Sequence, residues 1–390
     1  MHRRTFIRMS AGGVAALAAG AASMSDAAAS AATSTARVGS AASAWLAAGG
    51  CGAANVALTS DMARGPDVAR QSDVAGGRGM AGAEGGAGVA EEGGAAGAAG
   101  DAEARAWAQA RRFVATGAGE IAVVERGRGP LAALILHGFP LNSYQWRGAV
   151  QRLARYRRCI APDFLGLGHT RVAPGQSLAP QAQADMLAEL LDKLQIRKVD
   201  LIANDSGGAV AQIFLARYPQ RVRSLLLTNC DTEIDCPPPA LQPVIDMSKS
   251  GTFADQWFEP WLAEKNLARS SAGIGGMCFE HPAQLSDATL EAYLRPLVST
   301  PQRKQRMHAY AVALEANSLS GIGPALKASQ APVRVLWGMA DDIFLPHGAD
   351  HLSNAFGNSR GVRRLAGAKL FWPEERPDLI AQEARALWQA

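Results

Sequence analysis

The chain has 390 residues, 48% of them hydrophobic and 19% charged, which is enough apolar side chain for a sizeable core in one large or two ordinary domains. The net charge is a mild +4, and the basic residues form no stripe interleaved with aromatic residues. Both observations argue against a nucleic-acid partner. The five cysteines are scattered and form no CxxC pair, so they indicate neither a zinc site nor a disulfide framework. We also expect no metal and no cofactor.

The first 30 residues predict an export signal. Arg3 and Arg4 precede Phe6 and a weakly apolar Ala/Gly stretch, and the small residues at 25–31 suit a signal peptidase. This order resembles twin-arginine signals, which pass folded proteins to the twin-arginine export machinery of the bacterial inner membrane. We therefore expect a periplasmic or secreted protein without a stable membrane span.

Residues 31–105 predict a disordered linker. Within 76–100, 19 of 25 residues are Ala or Gly, and no apolar period is sustained. Such a segment buries too little side chain to offset the entropy lost on ordering.

The folded domain is predicted to span 106–390, because apolar runs bounded by Gly and Pro alternate with helical patterns there. The predicted strands are 120–124, 131–140, 158–164, 198–204, 222–231, 333–341 and 361–367. This alternation predicts an α/β fold with a mostly parallel, twisted sheet and helices on both faces. The interruption at about 234–315 predicts an inserted helical cap over the carboxyl edge of the sheet.

The stretch VDLIANDSGGAVAQIFLARYP, residues 199–219, predicts a buried strand, a tight turn and a helix. Such a turn needs small residues two positions before and after its apex, because strand and helix pass closely there. With Asp205 at the apex these residues are Ala203 and Gly207. A Ser206 apex would place the bulky Asn204 at one of them, so Asp205 fits better.

Together with HGFP at 137–140, this turn resembles the nucleophile elbow of the α/β-hydrolase fold. An aspartate at the apex is similar to haloalkane and fluoroacetate dehalogenases and to epoxide hydrolases. The resemblance implies that Asp205 attacks carbon and forms an ester, which water must then hydrolyse. A carboxylate with an ordinary pKa is ionised at neutral pH and needs no base for the attack itself.

The resemblance also implies the other members of the site. The backbone amides of Phe139 and Ser206 would form the oxyanion hole. Asp341, three residues after the glycine that ends a late strand, would be the acid, with Asp231 one strand earlier as the reserve.

The histidine of this family is missing. Aligning FWPEERP at 371–377 places Leu370 where the base belongs, and no histidine follows His351. The base therefore stays open, with His347 and His308 as candidates. General-base assistance is worth about 10²–10⁴-fold, so its loss would slow the hydrolysis of an ester.

Four residues are expected to bind substrate: His137 in the HGFP loop, and Trp257, Trp261 and Tyr293 in the cap. The resemblance to epoxide hydrolases also implies a cap tyrosine that protonates the opening ring, which would be Tyr293 or, further along the chain, Tyr310. The favoured function is an exported hydrolase that acts through Asp205 on a small, fairly apolar molecule. The alternatives are a ligand-binding member of the fold without turnover and an esterase that uses Ser206.

Overall fold

The computed structural model describes residues 100–390, so the predicted signal segment and residues 31–99 of the predicted linker lie outside the described residues. Within the described residues a helix occupies 100–110, so helical structure is already present before the predicted domain boundary at 106. The buried side chain of Trp107 and the ion pair between Glu103 and Arg147, at 2.7 Å, attach this helix to the domain.

Nine strands form one sheet in the described part of the chain. They are β1 (Arg111–Thr116), β2 (Gly119–Arg126), β3 (Ala132–Leu136), β4 (Arg158–Pro162), β5 (Arg171–Val172), β6 (Val199–Asp205), β7 (Val222–Cys230), β8 (Val333–Gly338) and β9 (Ser359–Leu365). Their order is β1-β2-β4-β3-β6-β7-β8-β9, with β5 beside β2. The pairs of β2 are antiparallel, and all pairs from β4 to β9 along that order are parallel. The predicted mostly parallel sheet is confirmed; β1 and β5 were not predicted.

The central strands carry the core. Every residue of β3 and β6 is buried, whereas the edge strand β9 is mostly half-buried or exposed. Central parallel strands are covered on both faces, which is why their sequences are continuous apolar runs without alternation.

The helices flank the sheet or build the cap. They are α1 (100–110), α2 (Arg147–Leu153), α3 (Pro180–Lys193), α4 (Ser206–Arg217), α5 (Gln242–Lys249), α6 (Glu259–Ala263), α7 (Lys265–Arg269), α8 (Ile274–Cys278), α9 (Asp287–Val298), α10 (Pro301–Ala313), α11 (Gly323–Ala328), α12 (His347–Ala355), α13 (Trp372–Glu375) and α14 (Pro377–Trp388). Short 3₁₀ turns occur at Ser143–Trp146, Pro219–Arg221, Pro239–Leu241 and Pro282–Gln284, and a π turn at Ala254–Phe258. Helices α5 to α10 occupy most of the connection between β7 and β8, the position of the predicted cap.

The apolar residues of α3 recur at helical spacing and form its buried face. Pro180 is at the first helical position, where its missing N–H costs nothing. Ala184, Leu187 and Leu191, three or four residues apart, are all buried. None of the described helices has the length and hydropathy that a membrane crossing requires.

A buried ion pair holds the opposite end of β6 from Asp205. The Asp200 carboxylate, fully buried, accepts hydrogen bonds from Arg157 Nε at 2.8 Å, Arg223 Nη1 at 2.7 Å and Ser224 Oγ at 2.8 Å. We expect Asp200→Ala to lower the free energy of unfolding by about 3–5 kcal/mol, because it leaves Arg157 buried without its counter-charge.

Urea denaturation measures this loss, with Glu120→Ala as the matched control. Glu120 pairs with Arg171 at 3.0 Å, and both side chains are more than half exposed, so its removal should cost about 0–1 kcal/mol. Equal losses in the two variants would contradict a structural role for the buried pair.

Candidate active site

The candidate site begins where β6 turns sharply into α4. Asp205 stands at this turn with φ 56° and ψ −137°, a conformation that non-glycine residues rarely adopt. A Cβ on Gly207 would lie 2.4 Å from the carbonyl oxygen of His137, and one on Gly138 would lie 2.3 Å from Asp205 Cβ. Only glycine fits these two positions, so the turn is built to bring Asp205 against the loop that follows β3.

The Asp205 carboxylate sits between two backbone amides. Its Oδ1 accepts hydrogen bonds from Phe139 N at 2.7 Å and from Ser206 N at 2.5 Å. No hydrogen bond within residues 100–390 involves Oδ2. These are the two amides that the family resemblance assigned to the oxyanion hole, and in this structure they hold one oxygen of the apex carboxylate itself.

Burial controls the charge of Asp205. The side chain is nearly inaccessible, which raises its pKa from 3.8 to about 6, while the hydrogen bonds from Ser206 and Phe139 act in the opposite direction. At neutral pH the group is mostly ionised. It is therefore a partly desolvated carboxylate, a form in which an oxygen nucleophile is more reactive than in water.

Ser206 has a different environment. It is the first residue of α4, and its hydroxyl lies 3.1 Å from the Tyr310 hydroxyl on the cap helix α10. No histidine in the described chain is hydrogen-bonded to it. A serine nucleophile requires such a base, which this arrangement does not supply.

Asn204 links three segments beneath the turn. Its Nδ2 donates to the carbonyl oxygens of Asn229, at 3.1 Å, and Leu370, at 3.2 Å, and its Oδ1 accepts from Gln145 Nε2 at 2.7 Å. The residue is fully buried with both ends of its amide satisfied. The bulky side chain is therefore accommodated as a structural connector at the residue before the apex.

The predicted acid, Asp341, lies after β8 and is also buried. Its Oδ2 accepts from Asn229 Nδ2 at 2.8 Å, and its Oδ1 accepts from Ile343 N at 2.9 Å. Burial and, to a smaller extent, the nearby charge of Asp205 raise its pKa to about 7 against these hydrogen bonds. Asp341 is thus about half ionised at neutral pH.

Asp231, the reserve acid, follows the strand that neighbours Asp205. Asp205 pairs in register with Cys230, the residue before Asp231. Burial raises the pKa of Asp231 well above its usual range, and the charge of Asp205 adds to this shift. Burial therefore raises the pKa of all three carboxyl groups of the site, those of Asp205, Asp231 and Asp341.

Leu370 fills the position where the resemblance places the base. Its side chain is 1% exposed, and the next residue, Phe371, donates its backbone N–H to the carbonyl oxygen of Cys278 in the cap at 2.9 Å. Together with the bond from Asn204, this fixes the loop between β9 and α13. An apolar side chain is held where a proton acceptor would be needed.

The two candidate bases are engaged elsewhere. His308 Nε2 accepts from Ala254 N at 3.1 Å inside the cap, and burial lowers its pKa. His347 is exposed and its Nε2 lies 2.5 Å from Asp235 Oδ2. Within the described chain, no hydrogen bond joins either histidine to Asp205 or Asp341.

His137 supports the loop. Its Nδ1 donates to the carbonyl oxygen of Gly138 at 2.9 Å, and its Nε2 accepts from Phe164 N at 3.0 Å. Burial lowers its pKa, so the ring is neutral in this single tautomer. Both ring nitrogens are used within the protein, which leaves none for the predicted contact with substrate.

The cap residues divide into two groups. Tyr310, Phe139, Phe253, Trp257 and Trp261 form a chain of neighbouring rings with centroids 5.2–6.2 Å apart, which leads from Ser206 into the cap. Tyr293 is turned away from this chain, because its hydroxyl donates to Glu374 Oε2 at 2.5 Å. Of the two cap tyrosines, Tyr293 and Tyr310, it is Tyr310 whose hydroxyl contacts the turn at Ser206.

The sequence assigned no role to Asn229, and it offered Tyr310 only after Tyr293 as a cap tyrosine that could protonate an opening ring. Asn229 lies at the end of β7, where its side chain joins Asp341, Gly338 and Trp372. Its only sequence signal was a polar residue at the carboxyl end of a buried strand.

In the described part of the chain no cluster of three or more His, Cys, Asp or Glu side chains is placed to hold a metal ion.

A profile of the alpha/beta hydrolase fold matches residues 134–373, more than half of the chain. The chain belongs to the α/β-hydrolase fold family. A haloalkane dehalogenase of Mesorhizobium japonicum is 39% identical over 105 residues, which are 27% of this chain and 34% of that protein. A 2-hydroxy-6-oxo-2,4-heptadienoate hydrolase of Pseudomonas putida is 37% identical over 111 residues, 28% of this chain and 37% of that protein.

Among solved structures, an esterase of Thermogutta terrifontis is similar, with a TM-score of 0.56 and 26% identity. The match covers 72% of this chain and 98% of the esterase. The chain thus matches about a third of the length of each of the two named relatives and nearly the whole of this structure. The family and its hydrolase relatives agree with the resemblance read from the elbow and the HGFP loop.

Proposed function

We propose that this protein is a hydrolase in which Asp205 attacks a small, fairly apolar electrophile and forms a covalent ester. The observation that carries the proposal is the asymmetry of the Asp205 carboxylate. Oδ1 is bound by two amides, whereas Oδ2 makes no hydrogen bond among the described residues. One oxygen is oriented and stabilised, and the other, which makes no hydrogen bond, would be the attacking atom.

The reaction would follow in two steps. Oδ2 forms a bond to a carbon of the substrate while the bond from that carbon to its leaving group breaks. The ester carbonyl oxygen is then Oδ1, which is already placed between the amides of Phe139 and Ser206. When water adds to the ester carbon, the negative charge that develops on Oδ1 is stabilised by these two donors. Collapse releases the alcohol and restores Asp205.

The surroundings favour an oxygen leaving group, as in an epoxide. The Tyr310 hydroxyl lies beside Ser206 and can protonate an alkoxide as the ring opens, since its raised pKa keeps it protonated. Phe139 and Ser206 supply no side-chain N–H for a departing halide at their positions. The ring chain through Phe253 and Trp257 suits an apolar substituent.

The presence of Leu370 at the position of the base is evidence for one competing function, that of a ligand-binding protein without turnover. In a site with a nucleophile and an oxyanion hole but no base, an ester that forms is hydrolysed only slowly. Turnover is then nearly absent, and ligand binding is the activity that remains. The esterase alternative is weaker, because Ser206 is paired with Tyr310 and lacks a histidine partner in the described chain.

The proposal is tested by exposing the protein to styrene oxide and 1-bromobutane and recording intact mass. We expect a stoichiometric adduct that peptide mapping places on Asp205, and adduct formation should slow as the pH falls through about 6, where Asp205 becomes protonated. Ser206→Ala should retain the adduct. Tyr310→Phe should slow the reaction with the epoxide about 10²-fold and leave that with the bromide nearly unchanged.

An adduct on Ser206 would refute the role of Asp205 as nucleophile. If neither reagent modifies the protein although both bind, the binding function is the better description. Fast, burst-free turnover would show that a base other than residue 370 is in place.

We further propose that the protein is exported through the twin-arginine pathway. The proposal rests on the sequence alone, in which Arg3 and Arg4 precede the weakly apolar stretch. These residues lie outside the described part of the chain. Changing both to lysine is expected to trap the precursor in the cytoplasm, as measured by cell fractionation. A second variant with Arg8→Lys alone is the control and should be exported. Periplasmic accumulation of the double variant would contradict the pathway.

A further inference from the structure

A cavity of about 620 Å³ lies away from the elbow, between α1, the start of β1 and the cap helix α9. Asp205, Asp231 and Asp341 do not line it. Its volume is in the range of cavities that bind small molecules. Because α1, the core loop at Asn142 and α9 all contribute to its wall, it spans the contact between core and cap.

The carboxylates of the cavity wall are mostly neutralised by basic residues. Glu291 pairs with Lys265 at 2.7 Å and with Arg295 at 2.8 Å, and Asp287 pairs with Arg269. Asp101 is the one lining carboxylate without an ion pair in the described chain. These acidic groups therefore contribute little net negative charge to the cavity.

Three lining arginines have no carboxylate bound to them within residues 100–390. Arg303 donates to the backbone carbonyl oxygens of residues 168–170. Arg105 is exposed on α1, and Arg111 is half-buried at the start of β1. With Asp101 as the only unpaired acid, the cavity wall has an excess of positive charge.

Arg111 is the most unusual of these arginines. Its Nε is buried without a hydrogen-bond partner in the described chain, and burial lowers the pKa of its guanidinium. The charge of Asp163 partly offsets this burial, but the Asp163 carboxylate accepts its hydrogen bonds from the backbone amides of Ser143 and His169. A partly buried guanidinium without a bound acid is costly, and an anion from outside the chain would remove that cost.

Most of the remaining wall is apolar. Trp107, 6% exposed, packs edge-on against Tyr144 with ring centroids 6.1 Å apart, and its Nε1 has no partner in the described chain. Alanines, a proline and the polar residues Asn142, His169 and Ser299 complete the lining. We propose that this cavity binds a small monocarboxylate with an apolar body, its carboxylate at Arg111 and its body along Trp107 and Tyr144. This site is independent of the reaction at Asp205.

Isothermal titration of the full-length protein with octanoate, compared with 1-octanol, tests the proposal. We expect saturable binding of octanoate with one site, and at least tenfold weaker binding of the uncharged alcohol. Arg111→Gln should weaken octanoate at least tenfold and remove the preference over octanol. Arg112→Gln is the matched control, because Arg112 is the next residue of β1 and its side chain pairs with Glu125 at the surface.

A second variant protects the test against a misfolded Arg111→Gln protein. Ala104→Trp adds bulk to the cavity wall from the half-buried face of α1 and should block octanoate without removing charge. Equal binding of octanoate and octanol, equal effects of the two arginine variants, or unchanged binding in Ala104→Trp would each overturn the proposal. So would the absence of saturable binding to the unaltered protein.

Discussion

Replacing Asp205 with asparagine is expected to abolish adduct formation and, at the same time, to stabilise the fold above pH 6. Asparagine keeps an amide oxygen that can accept from Phe139 N and Ser206 N, so the geometry of the turn is retained. It has no nucleophilic oxygen at the position of Oδ2. Covalent chemistry through this residue should fall below detection in intact-mass spectra.

The stabilisation follows from the sign of the pKa shift. Folding raises the pKa of Asp205 from 3.8 to about 6. The folded state therefore favours the protonated acid, and this contribution to stability is lost as the pH rises through 6. A shift of about two units corresponds to about 2–3 kcal/mol at pH 8. Asparagine is neutral at every pH, so the Asp205→Asn variant does not lose this stability as the pH rises.

Urea denaturation at pH 4 and pH 8 measures the effect. We expect the two proteins to be similar at pH 4 and Asp205→Asn to be more stable by about 2 kcal/mol at pH 8. Asp342→Asn, which removes an exposed carboxylate of the same charge, serves as the control and should leave both values unchanged. A variant that is less stable than the unaltered protein at pH 8 would show that the carboxylate is not strained by burial.

The order of the elements could be predicted because the central strands are buried on both faces. Runs such as those of β3 and β6 are apolar at nearly every position, and the turn residues between them mark their ends. β1 was missed because it lies at the sheet edge, where most of its residues are half-buried or exposed and its pattern is polar. The start of α1 was missed because its first residues continue the Ala/Gly composition of the preceding segment.

The elbow was readable because steric crowding restricts its neighbours to small residues. Ala203 and Gly207 identified Asp205 in advance, and the Cβ that Gly207 lacks would collide with the His137 carbonyl oxygen. The contacts of Tyr310 and Asn229 were not readable. They depend on how the cap folds over the sheet and on which strand ends adjoin, and neither leaves a local pattern.

Substituting Leu370 with histidine is expected to speed release of the Asp205 ester by about 10²-fold or more. The loop that carries residue 370 is already fixed, since its carbonyl oxygen is bound by Asn204 and the following amide by Cys278. A histidine here would therefore be presented from a rigid position. Asp341, whose pKa of about 7 leaves it about half ionised at neutral pH, can accept a hydrogen bond from the new imidazole and orient it.

Single-turnover kinetics separate the two steps. The unaltered protein is first converted to the ester with a limiting amount of epoxide, and loss of the adduct mass is then followed over time. Leu370→His should shorten that decay while the rate of adduct formation stays within about twofold. Leu370→Gln introduces a polar side chain of similar length that cannot act as a base near neutral pH, and it should release the ester as slowly as the unaltered protein.

The pH dependence of release identifies the mechanism of any acceleration. Release from Leu370→His should rise as the pH passes through the range in which an imidazole loses its proton, near 6.5, because only the neutral ring can take a proton from water. Asp341→Asn in the same background should diminish the gain, since the imidazole loses its anionic partner. An acceleration that Leu370→Gln reproduces would arise from greater access of water to the ester. In that case the apolar side chain of Leu370 retards hydrolysis by excluding water, and the missing base is not the cause.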